Sequence, residues 1–102
     1  MTGPEAKLKA QVKAYLKSLG AYQFWPVQTG YGAATVDCLA CIKGRWVAIE
    51  TKAPGKLPTP RQSVTMSEMH KAGGIAFATD SIERCRSYIT DHVLGEYDPD
   101  VA

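Results

Sequence analysis

The most informative segment of the chain is VDCLACIKGRWVAIETK, residues 36–52. It contains two runs rich in apolar and β-branched residues, 36–42 and 45–52, which are separated only by Lys43-Gly44. This spacing predicts a β-hairpin with a two-residue turn. The second run is almost continuously apolar up to Glu50, which is typical of a buried strand. The hairpin is thus expected to carry a carboxylate at the end of a buried strand.

The register of this hairpin brings two carboxylates together. With a two-residue turn, Asp37 lies directly opposite Glu50, with Cβ atoms about 4.5–5.5 Å apart. Like charges in this position destabilise a sheet, so the pair calls for a cation between them. Lys52 lies two residues beyond Glu50 and therefore shares its face. Two acids and a lysine on one face predict a site for a hard divalent cation beside a reacting water or phosphate.

Two alternatives stay open from the residues alone. A longer loop with a glycine bulge at Lys43-Gly44 would shift the pairing by one residue. Independently of the register, Asp37 and Glu50 could be ordinary surface residues on a solvated strand face. The position of Glu50 behind a nearly continuous apolar run favours the functional interpretation.

The helices on either side of the hairpin are marked by capping boxes. Apolar residues at helical spacing predict a first helix over about residues 3–19, opened by a capping box at Thr2–Glu5 and stopped by Gly20. A second capping box at Thr59–Gln62 opens a helix that stops at Gly73-Gly74.

The remaining elements complete a small mixed domain. Residues 21–28 predict an edge strand, 75–79 a short apolar strand, and 80–83 the cap of a last helix. The order α-β-β-β-α-β-α predicts an α/β (α+β) fold with helices packed on a small sheet. We expect a single domain over residues 1–95, followed by a frayed tail at 96–102.

Composition excludes several classes of protein. The chain has 102 residues, of which 45% are hydrophobic and 22% charged, as in one soluble globular domain rather than a disordered or repeat protein. Its apolar runs are too short to span a membrane, and the first ten residues do not resemble a signal peptide. The three cysteines predict reduced thiols in a cytoplasmic protein, and Cys38 and Cys41 should face opposite sides of a strand. The net charge of +2 identifies no partner.

Two further polar residues have two interpretations each. Glu5 aligns with Val12 and Leu16 on a helical wheel and so points inward, towards the same site, or else it closes the capping box. Gln62 likewise completes a capping box or contributes to the site from an inward helix face.

Basic residues form two groups that could hold a phosphate backbone. Lys9, Lys13 and Lys17 make a stripe along the first helix, for which a solvated face is the common alternative. Lys56 and Arg61 lie after the Glu-X-Lys strand.

The ordered set of these features resembles the VRR-NUC family, a branch of the PD-(D/E)XK nuclease superfamily. Glu5 in a first helix is followed by GYGAATVDCLACIKGRWVAIETKAPGKLPTPRQ and then by MHKAGGIAFATD. The resemblance covers about residues 3–82. It implies a restriction-endonuclease-like core and Mg²⁺- or Mn²⁺-dependent hydrolysis of DNA phosphodiester bonds.

The resemblance assigns a role to individual residues. Asp37 and Glu50 match the metal-binding acids, and the carbonyl of Thr51 matches an additional ligand. Lys52 matches the lysine that orients or activates water. The acid of the first helix and the glutamine that opens the next helix correspond to Glu5 and Gln62. Val36 stands where the family usually has proline.

The resemblance also implies a substrate and an assembly. Stand-alone members of phage or bacterial type are similar to dimeric, structure-selective nucleases, which implies a homodimer that cuts branched DNA such as Holliday junctions inside the cell. The residues themselves, rather than the resemblance, give the expected DNA contacts: Gly30, Tyr31, Gly32, Lys9, Lys13, Lys56 and Arg61. The alternative hypotheses are a catalytically inactive module that binds nucleic acid or a partner, and a plain structural domain.

Overall fold

The computed structural model describes residues 3–27 and 35–95. The helices are α1 (Pro4–Ser18), α2 (Pro60–Lys71) and α3 (Ile82–Ile89), and a π-helical turn (Thr90–Leu94) extends α3. The strands are β1 (Tyr22–Phe24), β2 (Cys38–Ile42), β3 (Arg45–Thr51) and β4 (Ile75–Thr79). The predicted order α-β-β-β-α-β-α is confirmed.

One mixed sheet joins the strands in the order β1-β2-β3-β4. The first two pairings are antiparallel, and β3 pairs with β4 in parallel. The crossover between β3 and β4 contains α2, as a parallel connection requires. Because β3 and β4 run in the same direction, their carboxyl ends meet at one edge of the sheet.

The hairpin between β2 and β3 has the predicted register. Lys43 (φ 51°) and Gly44 (φ 82°) are both left-handed, as in a type I′ turn. Ile42 pairs with Arg45, and the ladder runs from there to the pair formed by Cys38 and Ile49. The shifted register with a glycine bulge is therefore excluded.

The core has two layers, one on each face of the sheet. Helices α1 and α3 cover one face with the larger cluster, whose buried members are Leu8, Val12, Leu16, Cys38, Ala40, Ile42, Val47, Ile49, Phe77, Cys85, Ile89 and Val93. Helix α2 covers the other face with a smaller cluster, Val36, Ala48, Met66 and Ala76. Glu50 alternates with the residues of the larger cluster and therefore lies on the α2 face.

The helix ends confirm one capping box and correct the other. Thr59 and Gln62 form the reciprocal bonds of a capping box at the start of α2. The cap of α1 is Gly3, which has no side chain to bond, so the prediction of a Thr2 cap is wrong. Pro4 occupies the first helical position, which places Glu5 one position too early to close the predicted box.

Strand ends also differ from the prediction. β1 has three residues rather than eight and lies at the sheet edge, as expected for a run that contains Pro26. β2 begins at Cys38 rather than Val36, which is buried and packs on the α2 side of the sheet. The predicted tail, 96–102, and the glycine loop around Tyr31 lie outside the described residues.

Two further expectations concern the state of the cysteines and the absence of membrane-spanning helices. All three cysteines are free thiols, with Cys38 buried and Cys41 exposed, as opposite strand faces require. Across residues 3–27 and 35–95, no helix has the length and apolar character needed to cross a bilayer.

Candidate active site

Asp37 and Glu50 occupy the open end of the hairpin. The last ladder pair is formed by Cys38 and Ile49, so the next residue on each side is an acid. Asp37 Oδ2 accepts hydrogen bonds from the Thr51 backbone N–H (2.9 Å) and the Thr51 hydroxyl (2.8 Å). These two bonds fix the Asp37 carboxylate at the end of β3.

Glu50 is buried and incompletely satisfied. The residue is 4% exposed, and its carboxyl group shares a hydrogen bond with that of Asp37. Its other oxygen, Oε2, is buried with no hydrogen-bond partner among the described residues. A buried acceptor without a partner costs about 1–3 kcal/mol, and a bound ion is one of the usual reasons for retaining it. The donor set, two carboxylates that converge on one buried position, fits a hard divalent cation.

The surroundings of the two acids shift their pKa values in opposite directions. Burial, the hydrogen bond with Asp37 and the negative charge of Asp37 raise the pKa of Glu50 to about 8, against an opposing effect of Lys52. Burial would also raise the pKa of Asp37, but hydrogen bonds from Glu50 and Thr51 and the charge of Lys9 hold it below its ordinary value. At neutral pH and without metal, the pair therefore shares one proton, held on Glu50.

Helix α1 contributes charges to the same site. Lys9 Nζ lies 3.7 Å from Asp37 Oδ1, so Lys9, predicted to contact DNA, is an ion-pair partner of a site acid in this structure. Glu5 is half-buried, and its charge contributes to the raised pKa of Glu50, which supports the inward orientation predicted for it. Within the described parts of the chain, no three His, Cys, Asp or Glu side chains form a metal-binding group. The role of Glu5 as a third ligand stays a prediction.

Lys52 lies between the acid pair and an open cleft. Its backbone N–H donates to the Thr79 carbonyl of β4 (2.9 Å), which continues the parallel pairing by one bond. Its charge acts on Glu50, and the residue also lines a cleft of about 630 Å³ together with Lys56 and residues of α3. Lys52 thus faces both the acids and a space large enough for part of a substrate.

Gln62 is occupied by its capping role. The Thr59 backbone N–H donates to Gln62 Oε1 (2.9 Å), and the Gln62 backbone N–H donates to the Thr59 hydroxyl (3.2 Å). The capping interpretation is confirmed. Any contribution to the site would have to come from the side-chain NH₂ group, which the capping box does not use.

The other predicted DNA contacts are dispersed. Lys13 Nζ lies 5.0 Å from the centre of the Trp25 ring, a cation–π arrangement on the α1 surface. Lys56 is exposed in the loop after β3, and Arg61 is exposed in the first turn of α2. The three loop residues around Tyr31 lie outside the described residues.

Sequence reasoning missed the residues that build the cleft. Tyr88 and His92 line it from α3 and the π-helical turn. Their spacing of four residues, which places them on one face of a helix, was the available signal. Nothing local indicates that this helix faces the end of β4, since that contact depends on the packing of the whole domain.

Comparisons with known proteins agree with this architecture. A solved structure described as a "VRR_NUC domain" superposes with a TM-score of 0.77 at 18% sequence identity, covering 89% of this chain and 99% of that one. No family model and no curated protein matches the sequence. The structural match establishes the fold: the chain folds as that VRR_NUC domain does, which is consistent with the restriction-endonuclease-like core expected from its sequence.

Proposed function

We propose that this protein is a divalent-metal-dependent DNA endonuclease. The observation that carries the proposal is the pair of opposed acids, Asp37 and Glu50, in which Oε2 of Glu50 is buried without a partner among the described residues. Lys52 directly follows β3, two residues beyond Glu50. A structural role explains neither the burial of Glu50 nor its unpartnered oxygen. The VRR_NUC-like fold supports DNA as the substrate.

Asp37 and Glu50 would hold Mg²⁺ or Mn²⁺, which suit carboxylate ligands. Thr51 is a further candidate through its carbonyl. Its N–H points towards Asp37 while that of Lys52 points towards β4. Because the N–H and C=O of one residue in an extended strand face the same side, the Thr51 carbonyl faces the acids. Glu5 would contribute a further carboxylate from α1.

When bound, the metal would supply Lewis-acid activation of the scissile phosphate and would lower the pKa of the attacking water. The protein residues do the remaining work. On metal binding, Glu50 would release to solvent the proton that it shares with Asp37, which would leave both carboxylates ionised as ligands. Lys52 orients the attacking water and offsets the negative charge that develops on the phosphate. Gln62 would steady the site through its NH₂ group.

We further propose a homodimer that is selective for branched DNA. Contacts to the phosphate backbone by Lys13, Lys56 and Arg61, and by the Gly30-Tyr31-Gly32 loop, carry little sequence information, so selectivity should follow DNA structure. Cuts in two strands need two sites, which a twofold dimer provides. The edge strand β1 offers exposed aromatic side chains, with Tyr22 at 75% and Phe24 at 55% exposure, that are consistent with association. We place this activity inside the cell, where the free thiols would remain reduced.

The test is cleavage of labelled four-way junction, flap, single-stranded and duplex DNA with Mg²⁺, Mn²⁺ or EDTA. The wild type is compared with Lys52→Ala and with the control Lys71→Ala, which removes an exposed lysine at the end of α2. Metal-dependent cutting should be lost in Lys52→Ala and kept in Lys71→Ala. Binding without cutting in either metal would instead identify an inactive nucleic-acid-binding module.

A further inference from the structure

The open cleft at the carboxyl ends of β3 and β4 has the size of a ligand site. Its volume is about 630 Å³, within the range of roughly 300–1,000 Å³ that is typical of pockets for small organic ligands. The loop that follows β3 forms one wall, and α3 with the π-helical turn forms the other. Neither Asp37 nor Glu50 lines the cleft, but Lys52 does.

Three aromatic rings, one from β4 and two from the helical wall, form a stacked column beside the cleft. Phe77 and Tyr88 stack with centroids 4.0 Å apart and an interplanar angle of 21°. Tyr88 and His92 follow at 4.3 Å and 40°. Phe77 is buried in the sheet, whereas His92 is exposed and forms the outer end of the column. Exposed rings of this kind are platforms on which nucleobases stack without regard to sequence.

The two walls carry different charges. The loop wall supplies Lys52 and Lys56, two ammonium groups suited to a phosphate. The helical wall supplies the carboxylates of Glu83 and Asp91, beside the ion pair of Asp80 with Arg84, and is acidic on balance. These carboxylates repel phosphate but accept hydrogen bonds from the N–H groups of bases. This division matches a nucleotide whose phosphate lies against the loop and whose base lies against the helix.

Distance along β3 connects the cleft with the acid pair. Lys52 is two residues beyond Glu50, a rise of about 6.6 Å along a strand, and stacked DNA rises about 3.4 Å per nucleotide. The cleft therefore begins within about two nucleotides of the acids. A base that is paired and stacked in a duplex cannot enter it, because the column requires a free base face.

We propose that this cleft binds one unpaired nucleotide of the DNA strand next to the scissile phosphate, with its base against the Tyr88–His92 column and its phosphate at Lys52 and Lys56. The inference rests on the proposed nuclease function for its substrate. It also gives branch selectivity a physical basis, since branch points and flaps present nucleotides that are already unpaired, whereas a duplex must first be opened.

The test measures binding in EDTA, separately from cleavage. Fluorescence anisotropy compares a labelled short oligo(dT) with a fully paired hairpin duplex for the wild type, His92→Ala, His92→Phe and the off-site control Lys71→Ala. His92→Ala should weaken oligo(dT) binding by about tenfold, the effect of losing one stacked base, and should leave duplex binding unchanged. His92→Phe keeps a ring without the imidazole nitrogens and should bind oligo(dT) as the wild type does.

A spectroscopic readout locates the base. A flap with 2-aminopurine at its first unpaired position should lose fluorescence on binding the wild type and His92→Phe, but not on binding His92→Ala. The proposal is overturned if the wild type does not bind oligo(dT), if His92→Ala binds it normally, if His92→Ala weakens both DNAs equally, or if His92→Phe behaves like His92→Ala.

Failure of the cleft and failure of the nuclease are distinguishable. If the wild type cuts DNA with metal but His92→Ala binds oligo(dT) normally, the cleft assignment is wrong and the nuclease stands. If no DNA is cut but His92→Ala selectively loses oligo(dT) while His92→Phe does not, the cleft assignment stands without the nuclease.

Discussion

The carboxyl groups of Asp37 and Glu50 share one hydrogen bond at the open end of the hairpin, while the far oxygen of Glu50 is buried with no partner among the described residues. Two ionised carboxylates at this position would repel each other, and a shared proton reduces this repulsion in part. A divalent cation would relieve it more completely, because it satisfies both carboxylates at once.

The metal-free protein should lose stability as the pH rises through neutrality. Glu50 has an ordinary pKa of 4.5 and a folded-state pKa of about 8. Because the folded state holds this proton more tightly than the unfolded chain, the free energy of unfolding falls as the pH rises from about 4.5 to about 8, by up to about 4 kcal/mol. Urea unfolding in EDTA across this range measures the fall.

Two comparisons isolate Glu50 as the cause. Glu50→Gln, which mimics the protonated side chain, should remove most of the fall. Added Mg²⁺ should stabilise the wild type increasingly as the pH rises, since the metal binds the deprotonated pair. Asp37, whose pKa is lowered, acts at acidic pH. Its contribution to the free energy of unfolding is present above its ordinary pKa of 3.8 and is lost as the pH falls below that value. Equal pH profiles for wild type and Glu50→Gln would contradict the coupling.

Thr51 should hold Asp37 in position for the metal. Thr51→Val keeps the backbone bond to Asp37 and removes the hydroxyl bond of 2.8 Å. We expect a loss of about 1 kcal/mol in stability together with weaker Mg²⁺ binding. The matched control is Thr65→Val, which removes a hydroxyl bond to the Arg61 carbonyl on α2. An equal effect of both variants on metal affinity would show that Thr51 has no special role.

The hairpin turn should set the position of the acids. Gly44 has a φ of 82°, and a side chain in the left-handed region costs about 1–2 kcal/mol. Gly44→Ala should therefore lower the free energy of unfolding by that amount. Lys43→Asn, which places a turn-favouring residue at φ 51°, should raise it. Chemical denaturation measures both, and a neutral Gly44→Ala would argue against the type I′ turn.

The predictable parts of the fold are local. Lys43-Gly44 fixes the hairpin by turn chemistry, and the opposition of Asp37 and Glu50 follows from that register alone. The Thr59–Gln62 cap is equally local and was predicted correctly. The pairing of Lys9 with Asp37 was not predictable, because it depends on how α1 packs against the sheet end. The ring column at Tyr88 was missed for the same reason. The Gly3 cap had a local signal, because proline favours the first helical position and Pro4 therefore places the cap at Gly3.

A close approach on the α2 face gives a prediction independent of the site. A Cβ added at Gly74 would lie 2.4 Å from Trp46 Cε3, far inside van der Waals contact. Gly74→Ala should destabilise the protein by about 1–3 kcal/mol through overpacking. The double variant with Trp46→Leu should recover part of this loss. Thermal unfolding of the single and double variants measures these changes. Additive effects of Gly74→Ala and Trp46→Leu on stability would contradict a direct contact between the two positions.

A metal site at Asp37 and Glu50 is tested by calorimetric titration of Mn²⁺ into the wild type, Asp37→Asn and Glu68→Gln at pH 7.5. Asn keeps an acceptor for the Thr51 N–H, so Asp37→Asn should fold, and Glu68 is an exposed acid on α2. Saturable binding with proton release is expected in the wild type and in Glu68→Gln, and none in Asp37→Asn. Binding that survives unchanged in Asp37→Asn, or no binding by the wild type, would contradict a metal site at Asp37 and Glu50.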